Sequence, residues 1–363
     1  MAEYKMVRLG DVCEIQSGGT PSRSKTEYWK DGTIPWVKIG DFSGKYLDKT
    51  TEHITQQGLD NSSAKLFSKG TILYSIFATL GEATILNIDA TTNQAIAGIK
   101  IKDKSSVDID YFYSFFKSLK DEVNRIGRGV AQNNINLSIL KSFFIPLPPL
   151  ETQKQIAAQL DKCTAVIAKH KQMLEKYDTL IKSRFIEMFG DPKINSSNLP
   201  TKKFIEVVKL QRGFDLPVQE RNQDGLFNVY GSNGPLDKHD SFKVKAPGIV
   251  TGRSGTLGNV YYVLEDYWPL NTTLFSVDIH NNNVVYLKYL LELYDLSRFS
   301  EGAGVPTLNR NIVHDKDIID VPLSLQNDFA AFVQQIDKSK FAVQKSLEKT
   351  ETLYKSLMQR YFA

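Results

Sequence analysis

The sequence predicts an α+β protein in which two globular segments are separated by two long helices that pair as an antiparallel coiled coil, the whole forming a pseudo-two-fold internal repeat. Three observations predict it. LEKYDTLIKS at 174–183 returns as LEKTETLYKS at 347–356, with seven of ten letters the same. The match extends without gaps from 149–189 onto 322–362 at an offset of 173, carrying Pro149, Leu150, Gln153, Ala157 and Phe189 onto Pro322, Leu323, Gln326, Ala330 and Phe362. Each copy also places its apolar residues in alternating steps of four and three, the signature of a helical seam. The predicted boundaries are a first globular domain over 1–148, a first helix over 149–189, a linker with the second globular domain over 190–321, and a second helix over 322–363.

In the first helix the seam runs Ile156, Leu160, Cys163, Ile167, His170, Leu174, Tyr177, Ile181, Arg184, Met188. In the second it runs Phe329, Val333, Ile336, Lys340, Val343, Leu347, Thr350, Tyr354, Leu357, Tyr361. At 1.5 Å per residue such a helix is ~60 Å long, and one with a single apolar stripe needs a partner with a matching stripe. Its own copy supplies one. The polar seam residues His170, Arg184, Lys340 and Thr350 are expected to fix register.

The globular segments share a frame. VRLGDVCEIQSG opens the first and KKFIEVVKLQRG the second. Strand-like runs follow: GTILYSI, ATILNI and AIAGIKI in the first, GIVTG, NVYYVLE and LFSVDI in the second. Each closes on an aromatic helical stretch, DIDYFYSFFKSLKDEV and VVYLKYLLELYDL, and upstream identities such as Asn136 with Asn309 show that a whole module is duplicated. Between these landmarks the two middles differ greatly.

Composition excludes several classes. The 363 residues carry a net charge of +4, with 17 basic and 16 acidic side chains over 1–128 and 12 and 13 over 191–302, so neither globular segment is a basic glove. Any nucleic acid is then held with modest phosphate neutralisation by this chain, and partners must add positive surface. No run approaches the ~18 apolar residues of a spanning helix, and a cytoplasmic location with no membrane partner is expected. Cys13 and Cys163 lack CxxC spacing and the five histidines are scattered, so neither a disulfide nor a structural zinc is expected.

Nearly identical supports under dissimilar heads suggest two related readers of two different things, and a bipartite DNA site offers such a target. The motifs then become recognisable. IQSGGTPSR and IPWVKIGDF within 15–42, TTNQA at 91–95, PLPPLETQKQI at 146–156, YGSNG at 230–234 and GRSGTLGNVYYV at 252–263 resemble the specificity (S) subunit of type I restriction-modification systems, over nearly the whole chain. The resemblance implies two target-recognition domains on two helical spacers and no catalytic centre. It also implies double-stranded DNA as ligand, docking of two adenine-N6 methyltransferase (M) subunits, and restriction (R) subunits recruited through them. One departure stands out: the second helix opens DVPLSLQNDF instead of PPLETQ, so its entry turn and its partner contact are expected to differ.

Catalytic alternatives fail on the letters. An adenine methyltransferase needs an NPPY-like loop for the flipped base and a glycine-rich turn for its cofactor, and neither occurs, nor does a P-loop. GRSGTLG lacks the lysine and the strand-to-helix context of a phosphate cradle, so it is expected to be a turn. No cofactor, catalytic residue or metal site is expected.

Base readout calls for Arg, Lys, Asn, Gln, Ser or Thr on loops held by a rigid scaffold. The candidates in the first domain are Thr20, Ser22, Arg23, Lys25, Lys38, Ser75 and Gln94, with Arg128 and Gln132 late in the module. In the second they are Arg212, Asn233, Arg253, Ser254, Thr256 and Arg310. Arg23 and Arg253 lead, because a loop arginine can pair bidentately with guanine. Asn136 and Asn309 recur in domains expected to read different bases, so they are expected to brace the helix entry. The helix pair would act as a ruler holding two readers about one turn, ~34 Å, apart on duplex DNA; four residues inserted after Lys176 would add ~6 Å. The rival reading is a coiled-coil scaffold whose heads bind two proteins or ligands without DNA.

Overall fold

The computed structural model describes residues 4–127, 134–302, 304 and 306–362. The chain divides into two compact units, one made of Met1–Lys169 with Leu347–Ala363 and the other of His170–Ser346. The division cuts both long helices, Leu150–Phe189 and Leu323–Phe362, each of 40 residues. Each unit therefore takes one part of each helix.

In the first unit a five-stranded sheet has the order 13–17, 96–101, 72–75, 83–86, 46–47, and a three-stranded sheet the order 52–54, 34–37, 91–92. In the second unit a four-stranded sheet has the order 209–212, 273–278, 248–252, 260–263, and a three-stranded sheet the order 234–239, 227–231, 267–269. The pairings match except at one edge, where strand 46–47 of the first unit has no counterpart among the described residues of the second. Strand 34–37 runs antiparallel to 52–54 and parallel to 91–92, just as 227–231 runs antiparallel to 234–239 and parallel to 267–269. The middles that share so few letters thus share a topology, and the duplication covers the heads as well as the helices. Of the six strand-like runs, GIVTG matches its strand exactly at Gly248–Gly252, and the others contain or overlap theirs.

The same frame closes each unit. Met6–Arg8 pairs with Phe144–Pro146, and Thr201–Lys203 with Asp317–Ile319. Asn136 caps Leu137–Ser142 by accepting from Ile139 N at 2.8 Å, and Asn309 caps Arg310–His314 by accepting from Asn311 N at 3.0 Å. These asparagines satisfy helix donors that would otherwise be orphaned, the bracing role expected of a residue kept in both copies.

The aromatic helices bind the long ones. In the first unit Tyr111, Phe112, Phe115 and Phe116 of Ile109–Ser118 form one core with Ile156, Ala157 and Leu160, and Tyr354, Leu357, Met358, Tyr361 and Phe362 pack against it. In the second, Tyr286, Leu287, Leu290 and Leu291 of Val284–Tyr294 share a core with Ile181, Phe185 and Phe189 and with Phe329, Ala330 and Val333. The early part of one long helix meets the late part of the other in both units, which is antiparallel pairing. Every predicted seam residue is buried or partly buried. Lys340, one of the polar interruptions, donates to Asp178 on the facing helix, a pairing that specifies register.

The entry turns correct an expectation. Despite the different letters around them, Gln153 N donates to Pro149 O at 3.1 Å and Gln326 N to Pro322 O at 3.2 Å. The two helices start in the same way. No helix among the described residues is long and apolar enough to cross a membrane.

Candidate nucleic-acid interface

In the first unit the chain leaves strand Cys13–Ser17 and enters the loop 18–25. A Cβ on Gly19 would stand 2.3 Å from Ser63 C, so only glycine lets the backbone pass there. The glycine serves close approach, not a left-handed turn. Two indoles then hold the loop, with Trp36 Nε1 donating to Gly19 O and Trp29 Nε1 to Ser22 O, both at 3.1 Å. Thr20 Oγ1 donates to Gln94 Oε1, and Asn93 N donates to Val37 O at 3.3 Å. Three sequence-distant motifs, IQSGGTPSR, IPWVKIGDF and TTNQA, are thereby one surface.

Arg23 is not the free arginine the sequence suggested. Its guanidinium lies 3.6 Å from the Trp29 ring centroid and 4.7 Å from that of Trp36, and it pairs with Glu52 at 2.6 Å. Lys38 donates to the other oxygen of Glu52. The hydrogen bond from Lys38, reinforced by Arg23, holds the Glu52 carboxyl below the ordinary range against a smaller opposing effect of burial. Lys25 Nζ donates to Tyr28 OH at 2.9 Å and Ser22 lies 2.8 Å from Ser24 Oγ, both on the exposed loop. Gln94 is exposed as well. Ser75 is a correction: at 0% exposure, its Oγ accepts from Glu82 N at 2.8 Å, so it is a core hydroxyl with no face to offer a base. Arg128 and Gln132 lie outside the described residues.

In the second unit the turn Gly231–Gly234 closes a hairpin between Phe227–Gly231 and Gly234–His239, with Asn233 exposed at its tip. Gly234 has φ +95°, a conformation suited to glycine, and a Cβ there would stand 2.9 Å from the Tyr261 ring. YGSNG and GRSGTLGNVYYV are thus neighbours. GRSGTLG joins antiparallel strands 248–252 and 260–263 and leads into no helix, as its turn reading required. Ser254 bridges Thr307, and Thr256 is exposed in that loop.

Three arginines converge in the second unit. Arg212 ends strand Lys209–Arg212, Arg253 follows Gly248–Gly252, and Arg310 opens the helix capped by Asn309. Arg253 N donates to Thr272 O at 2.9 Å and its carbonyl accepts from Leu308 N at 2.8 Å, which ties that strand end to the helix entry. Together with Glu301, Thr307 and Asn309 the arginines line a cleft of about 370 Å³. Among the described residues no carboxylate forms an ion pair with any of the three; Arg253 Nη1 reaches only Asn271 O, at 3.4 Å.

The signals missed in the sequence were Glu52, Trp29 and Trp36. The tryptophans stood within the YW and IPW motifs, but nothing along the chain ties Glu52 to Arg23, 29 positions away.

Residues 1–176 match the family model described as the type I restriction modification DNA specificity domain. The specificity subunit of the EcoprrI type I restriction enzyme of Escherichia coli is 21% identical over 357 residues, covering 92% of this chain and 88% of the relative. That of the MjaIX enzyme of Methanocaldococcus jannaschii is 27% identical over 239 residues, covering 64% and 54%. The fold matches the crystal structure of the type I restriction-modification S subunit of M. genitalium with a TM-score of 0.63 at 16% identity, over 99% of this chain and 96% of that one. Residues 1–176 thus carry the type I restriction modification DNA specificity domain, and the chain along 92% of its length is similar to specificity subunits, the non-catalytic components of type I restriction enzymes.

Proposed function

We propose that this chain reads a bipartite DNA site. In this reading residues 1–148 and 190–321 are its two target-recognition domains, and 149–189 and 322–363 are the spacers that fix their separation. The observation that carries the reading is that each unit repeats one sheet topology while the exposed polar side chains on its loops differ. A common scaffold with unlike loops is what two readers of unlike half-sites require. Thr20, Ser22, Arg23, Lys25, Lys38 and Gln94 would face one half-site, and Arg212, Asn233, Arg253, Ser254, Thr256 and Arg310 the other. Two M subunits, carrying the adenine chemistry, dock on this chain in the cytoplasm, and R subunits join through them.

The test is a matched insertion. Seven helical residues placed after both Lys169 and Ser346 keep each unit's own seam in register and lengthen the rod by ~10 Å, about 3 bp of duplex. Mapping of N6-methyladenine in cells carrying the variant should show both half-sites unchanged and the spacer longer by that amount. An unchanged spacer with full methylation would sink the ruler.

A further inference from the structure

We infer that the cleft formed by Arg212, Arg253 and Arg310 is a phosphodiester clamp, built from three positions whose counterparts in the first unit are uncharged. The inference rests on the DNA-binding reading above and sharpens it. Strand register supplies the comparison between units. Arg212 and Thr251 both pair with Leu274 as Ser17 and Tyr74 both pair with Ala97, which sets Arg212 opposite Ser17 in the repeat. Two residues beyond Thr251 and Tyr74 come Arg253 and Ile76, whose carbonyls accept from Leu308 N at 2.8 Å and Ile135 N at 3.0 Å. Arg310 and Leu137 follow the equivalent caps Asn309 and Asn136. Ser17, Ile76 and Leu137, all uncharged, thus stand where the second unit has its three arginines.

The chemistry of the cleft favours phosphate over a base edge. A base edge lies recessed in a groove and is reached by a protruding side chain, whereas these guanidiniums line a concavity that accepts a protruding group. A guanidinium matches two phosphate oxygens bidentately. Glu301 at the rim is the one carboxylate lining it, against three cations. By contrast, the leading arginine of the first unit is already paired with Glu52. The second unit therefore provides sequence-independent grip through these three arginines, whereas Arg23 of the first is held by Glu52.

The experiment measures binding of the full chain to a random-sequence 40-bp duplex by fluorescence anisotropy from 50 to 300 mM KCl. The variants are R212Q/R253Q/R310Q and the charge-keeping R212K/R253K/R310K, with far-UV circular dichroism confirming that both fold. With slopes of about −0.9 per neutralised phosphate, the glutamine variant should lower the steepness of log K against log salt by ~2–3, while the lysine variant changes it by less than ~1. Inorganic phosphate, exchanged for chloride at constant ionic strength, presents the same oxygens and should therefore weaken duplex binding more for the wild type than for the glutamine variant. A folded glutamine variant that keeps the wild-type slope overturns the clamp. So does competition by inorganic phosphate that is equal for the two, which would mean that no phosphate is held by these arginines. If the glutamine variant loses methylation at particular sequences but keeps full random-duplex affinity, the arginines read bases, and the clamp fails while the recognition function stands. A wild-type chain that binds no duplex, alone or in the complex it forms in cells, overturns both.

Discussion

Gln153 and Gln326, 173 positions apart, each make three hydrogen bonds in different units, two of them to matching backbone partners. Gln153 is 0% exposed; its Oε1 accepts from Asp108 N at 2.9 Å, and its Nε2 donates to Ser106 O at 3.0 Å and Pro148 O at 2.8 Å. Gln326 is 1% exposed; its Oε1 accepts from Asn283 N at 2.8 Å, and its Nε2 donates to Asn282 Oδ1 and Val321 O, both at 2.7 Å. Each amide staples the start of a long helix to the start of an aromatic helix, with every polar atom satisfied.

Removing either staple leaves buried donors and acceptors unpaired. Q153A should destabilise the first unit by ~2–4 kcal/mol and Q326A the second by a similar amount, from the cost of unsatisfied buried groups. The three tryptophans make the units separable: Trp29 and Trp36 report on the first and Trp268 on the second. Urea unfolding followed by fluorescence in W268F and W29F/W36F backgrounds should place each loss in its own unit. Equal losses in both units from one substitution would contradict the assignment.

Phe362 packs 5.2 Å from Tyr111 and 5.7 Å from Phe115, ring centroid to centroid. F362A should cost the first unit about 2–3 kcal/mol, toward the low end for aromatic truncation because the ring is only partly buried. The same urea assay should show the Trp29 and Trp36 transition shifted and the Trp268 transition unmoved.

His314 is 9% exposed, and its Nε2 accepts from Leu210 N at 3.0 Å, so the folded unit holds the neutral ring. Burial, with the nearby Arg310 charge, depresses its pKa. A depressed histidine contributes stability that is present above the unfolded pKa of about 6.5 and lost as pH falls through the folded value. The second unit should therefore weaken as pH falls below about 6.5, and H314Q, which keeps an acceptor without the titration, should flatten that dependence. An equally steep pH profile in H314Q would refute this.

Glu52 gives the opposite unit an acid-sensitive loop. Its lowered pKa means that its pairing with Lys38 and Arg23 persists above the usual glutamate value of about 4.3 and fades as pH falls through the folded value. Release of Arg23 from the Trp29 and Trp36 faces should change indole emission in a W268F background over that window. E52Q should show the released spectrum already at pH 7.

Much of this was legible along the chain because a strict period records it. The seam residues from Ile156 to Met188 and from Phe329 to Tyr361 could be named one by one, since a helix that buries one stripe must repeat it. The three-stranded sheets could not. Thr91–Thr92 and Tyr267–Pro269 are two and three residues long and are fixed by pairing with strands far away in sequence, which no local pattern encodes. The site divides in the same way. Arg212, Arg253 and Arg310 were legible singly as loop cations, but their convergence comes from sheet register and a helix start. Ser75 looked like a reader because a serine at a strand end carries no mark of which face it takes.

The make-up of the two units bears on how the chain matures during synthesis. Residues 170–346 are continuous, so everything the second unit needs has been translated before residue 347 is added. The first unit, begun earliest, waits for Tyr354, Leu357, Tyr361 and Phe362 to cover its aromatic helix. At ~5–20 residues per second the nascent N-terminal module spends many seconds with Tyr111 and Phe115 uncapped, so the part made first is the part finished last.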